Sequence, residues 1–189
     1  YYARAIDSTI LVALSEISFQ QCAPTENTMK RVKQFLDYMY MHPDAKIRYQ
    51  ASNMILNVHS DASYLTAAKS KSRAGSYFFL GSTPRDGEQN WLNGAVHITA
   101  VILKVVAASA AEAKLGALFL NAQEAKILCL ILEELGYPQP PAFFHIDNAT
   151  VVGIVMSSIK QQRSRTVEMQ YFWLFDNKAR KNFKFSYHP

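Results

Sequence analysis

Two short apolar runs, each followed at once by an aspartate, constrain the fold of this chain more than any other feature. Residues 53–60 (NMILNVHS) lead to Asp61, and residues 142–146 (AFFHI) lead to Asp147, 86 positions later. Carboxylates at the ends of two adjacent strands can hold a divalent cation, because such ions take oxygen ligands. We therefore expect neighbouring parallel strands whose carboxylates lie about 4 to 7 Å apart around a shared metal site.

Composition indicates a packed intracellular protein. With 189 residues, of which 49% are hydrophobic and 12% aromatic, the chain can bury one full domain and part of another. Its two cysteines, Cys22 and Cys129, lie too far apart for a disulfide framework or a zinc site, which predicts reduced thiols and a cytoplasmic or nuclear location. The longest apolar stretch is broken by Lys104, which predicts no membrane partner. A start at Tyr1 without a leader suggests a piece of a longer protein.

Positive charge is concentrated near the end of the sequence. Residues 160–189 carry seven basic against two acidic side chains, which accounts for the whole net charge of +5. Aromatic residues are interleaved with these cations, a combination that suits a nucleic-acid backbone, although a solvated basic face has the same composition. The candidate nucleic-acid-binding residues are Arg163, Arg165, Lys178, Arg180, Lys181 and Lys184.

Hydrophobic periodicity divides the chain into a helical segment, residues 1–45, and a mixed region, residues 46–189. The first segment predicts a helix over 4–19 and another that Thr25 caps and that ends near His42. In the second region the pattern predicts three antiparallel strands and then crossover connections. The predicted elements are a hairpin over 47–59, strands at 74–80 and 96–107, a helix at 110–135, a strand at 142–146, helices at 150–159 and 167–179, and a strand at 183–187.

Four strings in this order resemble the ribonuclease H domain of copia-type LTR retrotransposon Pol polyproteins. They are HSDAS at 59–63, RAGSYFFLG at 73–81, ASAAEAKLGAL at 108–118 and HIDN at 145–148. Each string alone is weak, but four in order with the intervening helices are specific. The resemblance implies a ribonuclease H-like mixed five-stranded sheet flanked by helices. It also implies that residues 1–45 are the helical tail of a reverse transcriptase, and that residues 46–189 end before the last acidic segment of the family.

The resemblance further implies hydrolysis of the RNA strand of RNA–DNA hybrids by two Mg²⁺ or Mn²⁺ ions. In that family Asp61 would bridge both ions and Asp147 would bind one of them. One ion would activate water while the other stabilised the leaving oxygen. The partners implied are the hybrid and the remainder of the Pol polyprotein.

One position departs from the family. The helix motif of the family carries two glutamates and the second is a metal ligand; Glu112 matches the first, whereas Lys114 stands at the second. Positions 112 and 114 are about 200° apart on a helix, so Glu112 reaches the same point only if the register changes. We keep Asp61, Asp147 and Glu112 as candidate catalytic residues and expect Lys114 to impair hydrolysis. Two alternatives stay open: a nucleic-acid-binding module that no longer cuts, and a structural connection module of a decayed element.

Histidines and serines near the aspartates predict no other chemistry. His59, His97 and His145 lie on strand-like runs without metal-ligand spacing, which favours core or pairing roles. Ser60 and Ser63 lack the Gly-x-Ser-x-Gly elbow of a hydrolase nucleophile.

Overall fold

The computed structural model describes residues 2–83, 91–156 and 165–188, with side chains of the last range described from residue 169 onward. The chain divides into two compact units, Tyr1–Tyr49 and Gln50–Pro189. Arg163 and the side chain of Arg165 lie outside the described residues, as do the last residues of the helix predicted over 150–159.

The first unit is helical. Its elements are α1 (Tyr2–Ala5), a 3-10 turn (Ser8–Ile10), α2 (Leu11–Phe19) and α3 (Glu26–Met41). The single helix predicted over 4–19 is wrong in detail. Asp7 accepts a hydrogen bond from the backbone N–H of Thr9 at 3.0 Å and caps a new helical segment there. Thr25 caps α3 as predicted, by accepting from the N–H of Thr28 at 3.2 Å.

The second unit contains a five-stranded mixed sheet. Its strands are β1 (Ile55–Ala67), β2 (Lys71–Gly81), β3 (Ala95–Ile102), β4 (Ala142–Ile146) and β5 (Phe183–Tyr187), in the order β3-β2-β1-β4-β5. The first three are antiparallel neighbours, whereas β4 runs parallel to β1 and β5 parallel to β4. The predicted mixed five-stranded sheet is therefore confirmed.

The hairpin predicted over 47–59 is wrong. Residues 46–54 form no strand, Met54 has a left-handed φ of 59°, and β1 then runs for 13 residues from Ile55. Pairing with β2 on one side and β4 on the other satisfies the backbone of β1, which a local pattern cannot reveal. Asp61 consequently lies within β1 and not at its end. The strand predicted over 96–107 is also too long, since β3 ends at Ile102.

Three helices cover one face of the sheet: α4 (Ala110–Glu134), α5 (Ala149–Val155) and α6 (Arg165–Ala179). Ser109 caps α4, and Gly136, with φ of 90°, follows its end. One buried cluster joins the helices to the sheet, and its members include Leu56, Val58, Phe78, Leu115, Leu118, Phe144, Ile146, Leu174, Phe183 and Phe185.

The long helix α4 is apolar enough to cross a membrane by length and composition, with a mean hydropathy of 1.5 over its most apolar window. The stretch-length argument from the sequence missed this property. Its Leu115, Leu118 and Ala122 are buried in the core cluster against the sheet, so packing accounts for the apolar character of that side of the helix.

Candidate functional site

The two aspartates emerge side by side where strands β1 and β4 stop pairing. The parallel register ends with Ser60 opposite Ile146, and the next residue on each chain is Asp61 or Asp147. Both side chains are exposed, by 65% for Asp61 and 47% for Asp147. Parallel strands thus bring together two residues that are 86 positions apart in sequence.

Lys114 of α4 lies between the two carboxylates. Its Nζ donates hydrogen bonds to Oδ1 and Oδ2 of Asp147, both at 2.6 Å, and lies 3.0 Å from Oδ1 of Asp61. Because both carboxylates have an oxygen within 3.0 Å of one nitrogen, these oxygens are less than about 6 Å apart. The sequence predicted this proximity, and Lys114 lies where the resemblance implied a metal-binding carboxylate of the helix.

Lys114 is held in its charged form. Burial acts to lower the pKa of the ammonium, whose side chain is only 16% exposed, but the hydrogen bonds to Asp147 and Asp61 outweigh burial and raise it above the ordinary value. At neutral pH the three side chains carry two negative charges and one positive charge. One negative charge is left in excess, while both oxygens of Asp147 and one oxygen of Asp61 face the Lys114 ammonium.

These residues do not fit a two-ion magnesium or manganese site. Such a site needs several carboxylates converging on space for two cations and their water. Here the Lys114 ammonium fills the space between Asp61 and Asp147 at hydrogen-bond distances, and its charge opposes a second cation. Among the side chains of residues 2–83, 91–156 and 169–188, no three His, Cys, Asp or Glu are grouped so that they could hold a metal ion.

Glu112 is placed away from the carboxylate pair. Its Oε2 accepts from the backbone N–H of Ala108 at 2.7 Å, while its own N–H donates to Oγ of Ser109 at 3.1 Å. These bonds satisfy donors at the start of α4, where a carboxylate also interacts well with the helix dipole. The structure therefore gives Glu112 a capping position. The candidate catalytic role required Glu112 to lie beside Asp61 and Asp147, and the structure does not bring it there.

A cleft of about 360 Å³ opens beside the aspartates, and three histidines line it. His59 and His145 occupy paired positions on β1 and β4 with ring centroids 4.8 Å apart, and the ring of His188 lies 5.1 Å from that of His145. His188 was missed from the sequence because it follows the last strand with no distinguishing pattern.

Two of the cleft histidines, His145 and His59, are held neutral by burial. Burial, followed by the proximity of His59 and His188, lowers the pKa of His145 to about 4. Burial and His188 also lower the pKa of His59. Nε2 of His145 lies 3.2 Å from Oδ1 of Asn57, while its buried Nδ1 has no partner in the described part of the chain. His59 and His145 thus contribute no positive charge to offset the aspartates at pH 7.

The described candidate nucleic-acid-binding residues are not gathered at the aspartates. Lys178 is in the last turn of α6, and Arg180 and Lys181 lie between α6 and β5. The first residue of β5 pairs with Ala142 at the start of β4. This is the opposite end of β4 from Asp147. Arg180 also pairs with Asp176 at 2.9 Å.

Lys184 is the second residue of β5. It pairs with Phe143, and its Nζ lies 5.5 Å from the centre of that ring. Side chains alternate along a strand, so Phe143 and His145, two positions apart on β4, point to the same face of the sheet. Lys184 pairs with Phe143 and therefore shares that face. Of the described candidate cations, Lys184 is therefore placed on the face that carries the cleft.

Comparison with solved structures identifies the fold. A ribonuclease H1 isolated from compost by a metagenomic approach superposes with a TM-score of 0.50 at 12% identity, over 72% of this chain and 85% of that one. The same enzyme in complex with an RNA/DNA hybrid gives 0.48 at 12% identity, over 71% and 85%. A foamy viral protease-reverse transcriptase in complex with double-stranded DNA gives 0.49 at 14% identity, over 99% of this chain and 30% of that one.

No family model matches the sequence, and the search of curated proteins finds no match. The chain has the ribonuclease H fold: a mixed five-stranded sheet flanked by helices, as in the compost enzyme. At this identity the likeness establishes the fold alone.

Proposed function

We propose that this chain is a ribonuclease H-fold module of a copia-type retrotransposon Pol polyprotein that binds RNA–DNA hybrids and has lost their hydrolysis. The observation that carries the proposal is the position of the Lys114 Nζ, 2.6 Å from Asp147 and 3.0 Å from Asp61. A cation supplied by the protein occupies the space that the two-ion reaction requires, so no water is activated there.

Support for a polyprotein origin comes from the four sequence strings, and the fold is the one they imply. On this proposal the helices α1 to α3 are the tail of a reverse transcriptase, and the remainder of the polyprotein is a partner. The proposed nucleic-acid contacts are cationic side chains, of which Lys178, Arg180, Lys181 and Lys184 lie among the described residues.

Hybrid binding is tested by fluorescence anisotropy with a labelled RNA–DNA hybrid at two salt concentrations, in EDTA and in Mg²⁺. We expect affinity to fall steeply with salt, because each phosphate contact adds about 0.9 to the slope of log K against log salt on duplex DNA. Mg²⁺ should not raise the affinity above its value in EDTA at matched ionic strength, since Lys114 supplies the cation and free Mg²⁺ only competes for the phosphates.

Two variants locate the contacts. Replacing Lys178, Lys181 and Lys184 together with alanine should flatten the salt dependence by up to about 2.7 units, whereas Lys104→Ala, a single exposed lysine after β3, should change it by less than about one. An affinity that does not respond to salt, or to the triple replacement, would leave these lysines as a solvated face.

Hydrolysis is tested on the same hybrid with Mg²⁺ and with Mn²⁺. We expect the unmodified chain to leave the RNA strand intact. Cleavage that disappears on Asp61→Asn would contradict the proposal and show that the carboxylates work with Lys114 in place.

A further inference from the structure

A buried polar network joins α4 to three strands of the sheet. Nδ2 of Asn121 donates to Oγ of Ser60 at 2.8 Å and to the carbonyl of Gly75 at 3.0 Å. Oγ1 of Thr99 lies 3.5 Å from Oδ1 of Asn121, and its other neighbour is Oγ of Ser76 at 2.6 Å. Asn121 is only 1% exposed, so its amide cannot exchange these partners for water.

These bonds fix the helix at the level of the carboxylate pair. Ser60 precedes Asp61 in β1, and Gly75 is the residue of β2 that pairs with Asp61. Other contacts of α4 with the sheet come from apolar side chains such as Leu118 and Ala122, which tolerate small displacements along the helix axis. Hydrogen bonds are directional, so the network resists such displacements.

Lys114 and Asn121 are linked through the helix itself. Seven residues separate them, which is close to two turns, so both side chains project from the same side of α4 about 10 Å apart. A slip of one residue would rotate the helix by about 100° and shift it by about 1.5 Å. The Lys114 ammonium would then leave the gap between Asp61 and Asp147.

We propose that Asn121 is a positioning residue that sets the rotation and axial position of α4 and thereby delivers position 114, and not position 112, to the two aspartates. This role goes beyond the proposed function because it concerns how the site is assembled, and it holds whether or not the chain binds nucleic acid. It also gives a physical reason why Lys114 lies between the aspartates whereas Glu112 caps the start of α4.

The test is the Lys114 ammonium signal in ¹H–¹⁵N NMR, recorded on the full chain without nucleic acid and assigned with Lys114→Met. An ammonium held by two carboxylates exchanges protons slowly and is visible, whereas a solvated one is not. Asn121→Leu keeps the branching of the side chain at Cγ but removes both donors. We expect it to abolish the signal. It should also weaken the coupling between Lys114 and Asp147, measured by a double-mutant cycle of unfolding equilibrium constants, by about threefold or more.

A matched control on the same helix is Leu118→Ala, which removes buried packing and leaves the network intact. It should lower stability yet keep the ammonium signal and the coupling. If Asn121→Leu does not fold, Ser60→Ala, which deletes one acceptor, should weaken both readouts partially. An unchanged signal and coupling in Asn121→Leu, or in Ser60→Ala where the former is unfolded, would overturn the proposal, as would equal losses in Leu118→Ala.

Discussion

Replacing Lys114 with methionine removes the ammonium and keeps most of the side chain. Two ion pairs are lost, each worth about 1.4 kcal/mol at 3 Å in bulk water and several times more at an effective dielectric near 20. Asp61 and Asp147 are 65% and 47% exposed, so solvent screens both pairs and the higher figures must be discounted. Allowing for repulsion between the carboxylates that are left, we expect a loss of about 1 to 3 kcal/mol in the free energy of unfolding.

Urea denaturation at pH 7 and low salt, followed by circular dichroism, measures this loss. The same experiment in Mg²⁺ makes the reasoning specific. In the unmodified chain the ammonium excludes the ion, so Mg²⁺ should leave the midpoint unchanged. In Lys114→Met the two carboxylates face an open position, and Mg²⁺ at ten times its dissociation constant should restore about 1.4 kcal/mol.

Lys126→Met is the matched control, because Lys126 is an exposed lysine of the same helix. It changes the net charge equally and should alter neither the stability nor the response to Mg²⁺ appreciably. Two results would refute the reasoning: Mg²⁺ stabilisation of the unmodified chain equal to that of Lys114→Met, or a Lys114→Met variant that is as stable as the parent and indifferent to Mg²⁺.

Three further predictions concern the same fold. Lys114→Glu should gain Mg²⁺-dependent cleavage of an RNA–DNA hybrid at least about tenfold above Lys114→Met, a difference of about 1.4 kcal/mol in barrier, and equal rates in a gel assay would count against it. The free energy of unfolding in urea should fall as pH drops from about 6.5 towards 4, by about 2 kcal/mol at pH 5. The cause is that the folded pKa of His145 is lowered to about 4, so the unfolded chain takes up the proton first. His145→Gln should reduce this pH dependence. Gly136→Ala should cost about 1 kcal/mol in the free energy of unfolding, because φ there is 90°; no atom lies within 4 Å of an added Cβ, so the cost is conformational. Gly116→Ala within α4 should be neutral or stabilising by up to about 1 kcal/mol. Thermal melts that reverse this order would contradict the assignment of Gly136 as the residue that ends the helix.

Several elements were predictable from sequence because their signals are local. Strands β4 and β5 were predicted with the observed bounds, 142–146 and 183–187, since each is a short apolar run between polar or turn-forming residues. Helix α4 starts at the predicted residue after the Ser109 cap, and its end before Gly136 differs by one residue. The proximity of Asp61 and Asp147 also followed, from the expectation that the two runs are neighbouring parallel strands.

Other features were decided by contacts between residues far apart in sequence. The first strand begins at Ile55 and extends past Asp61 because β2 pairs with it along that whole length, beyond the point where β4 ends, and no local pattern contains that information. The position of Glu112 depends on a bond to Ala108, and that of Lys114 on how α4 docks against β1 and β4. Asn121 gave no sequence signal, since a single polar residue in an apolar helix acquires partners only when the strands are in place. Sequence determined which segments form and which side chains carry charge; the tertiary structure determined which charges meet, because ion pairs and hydrogen bonds form only within about 3 Å.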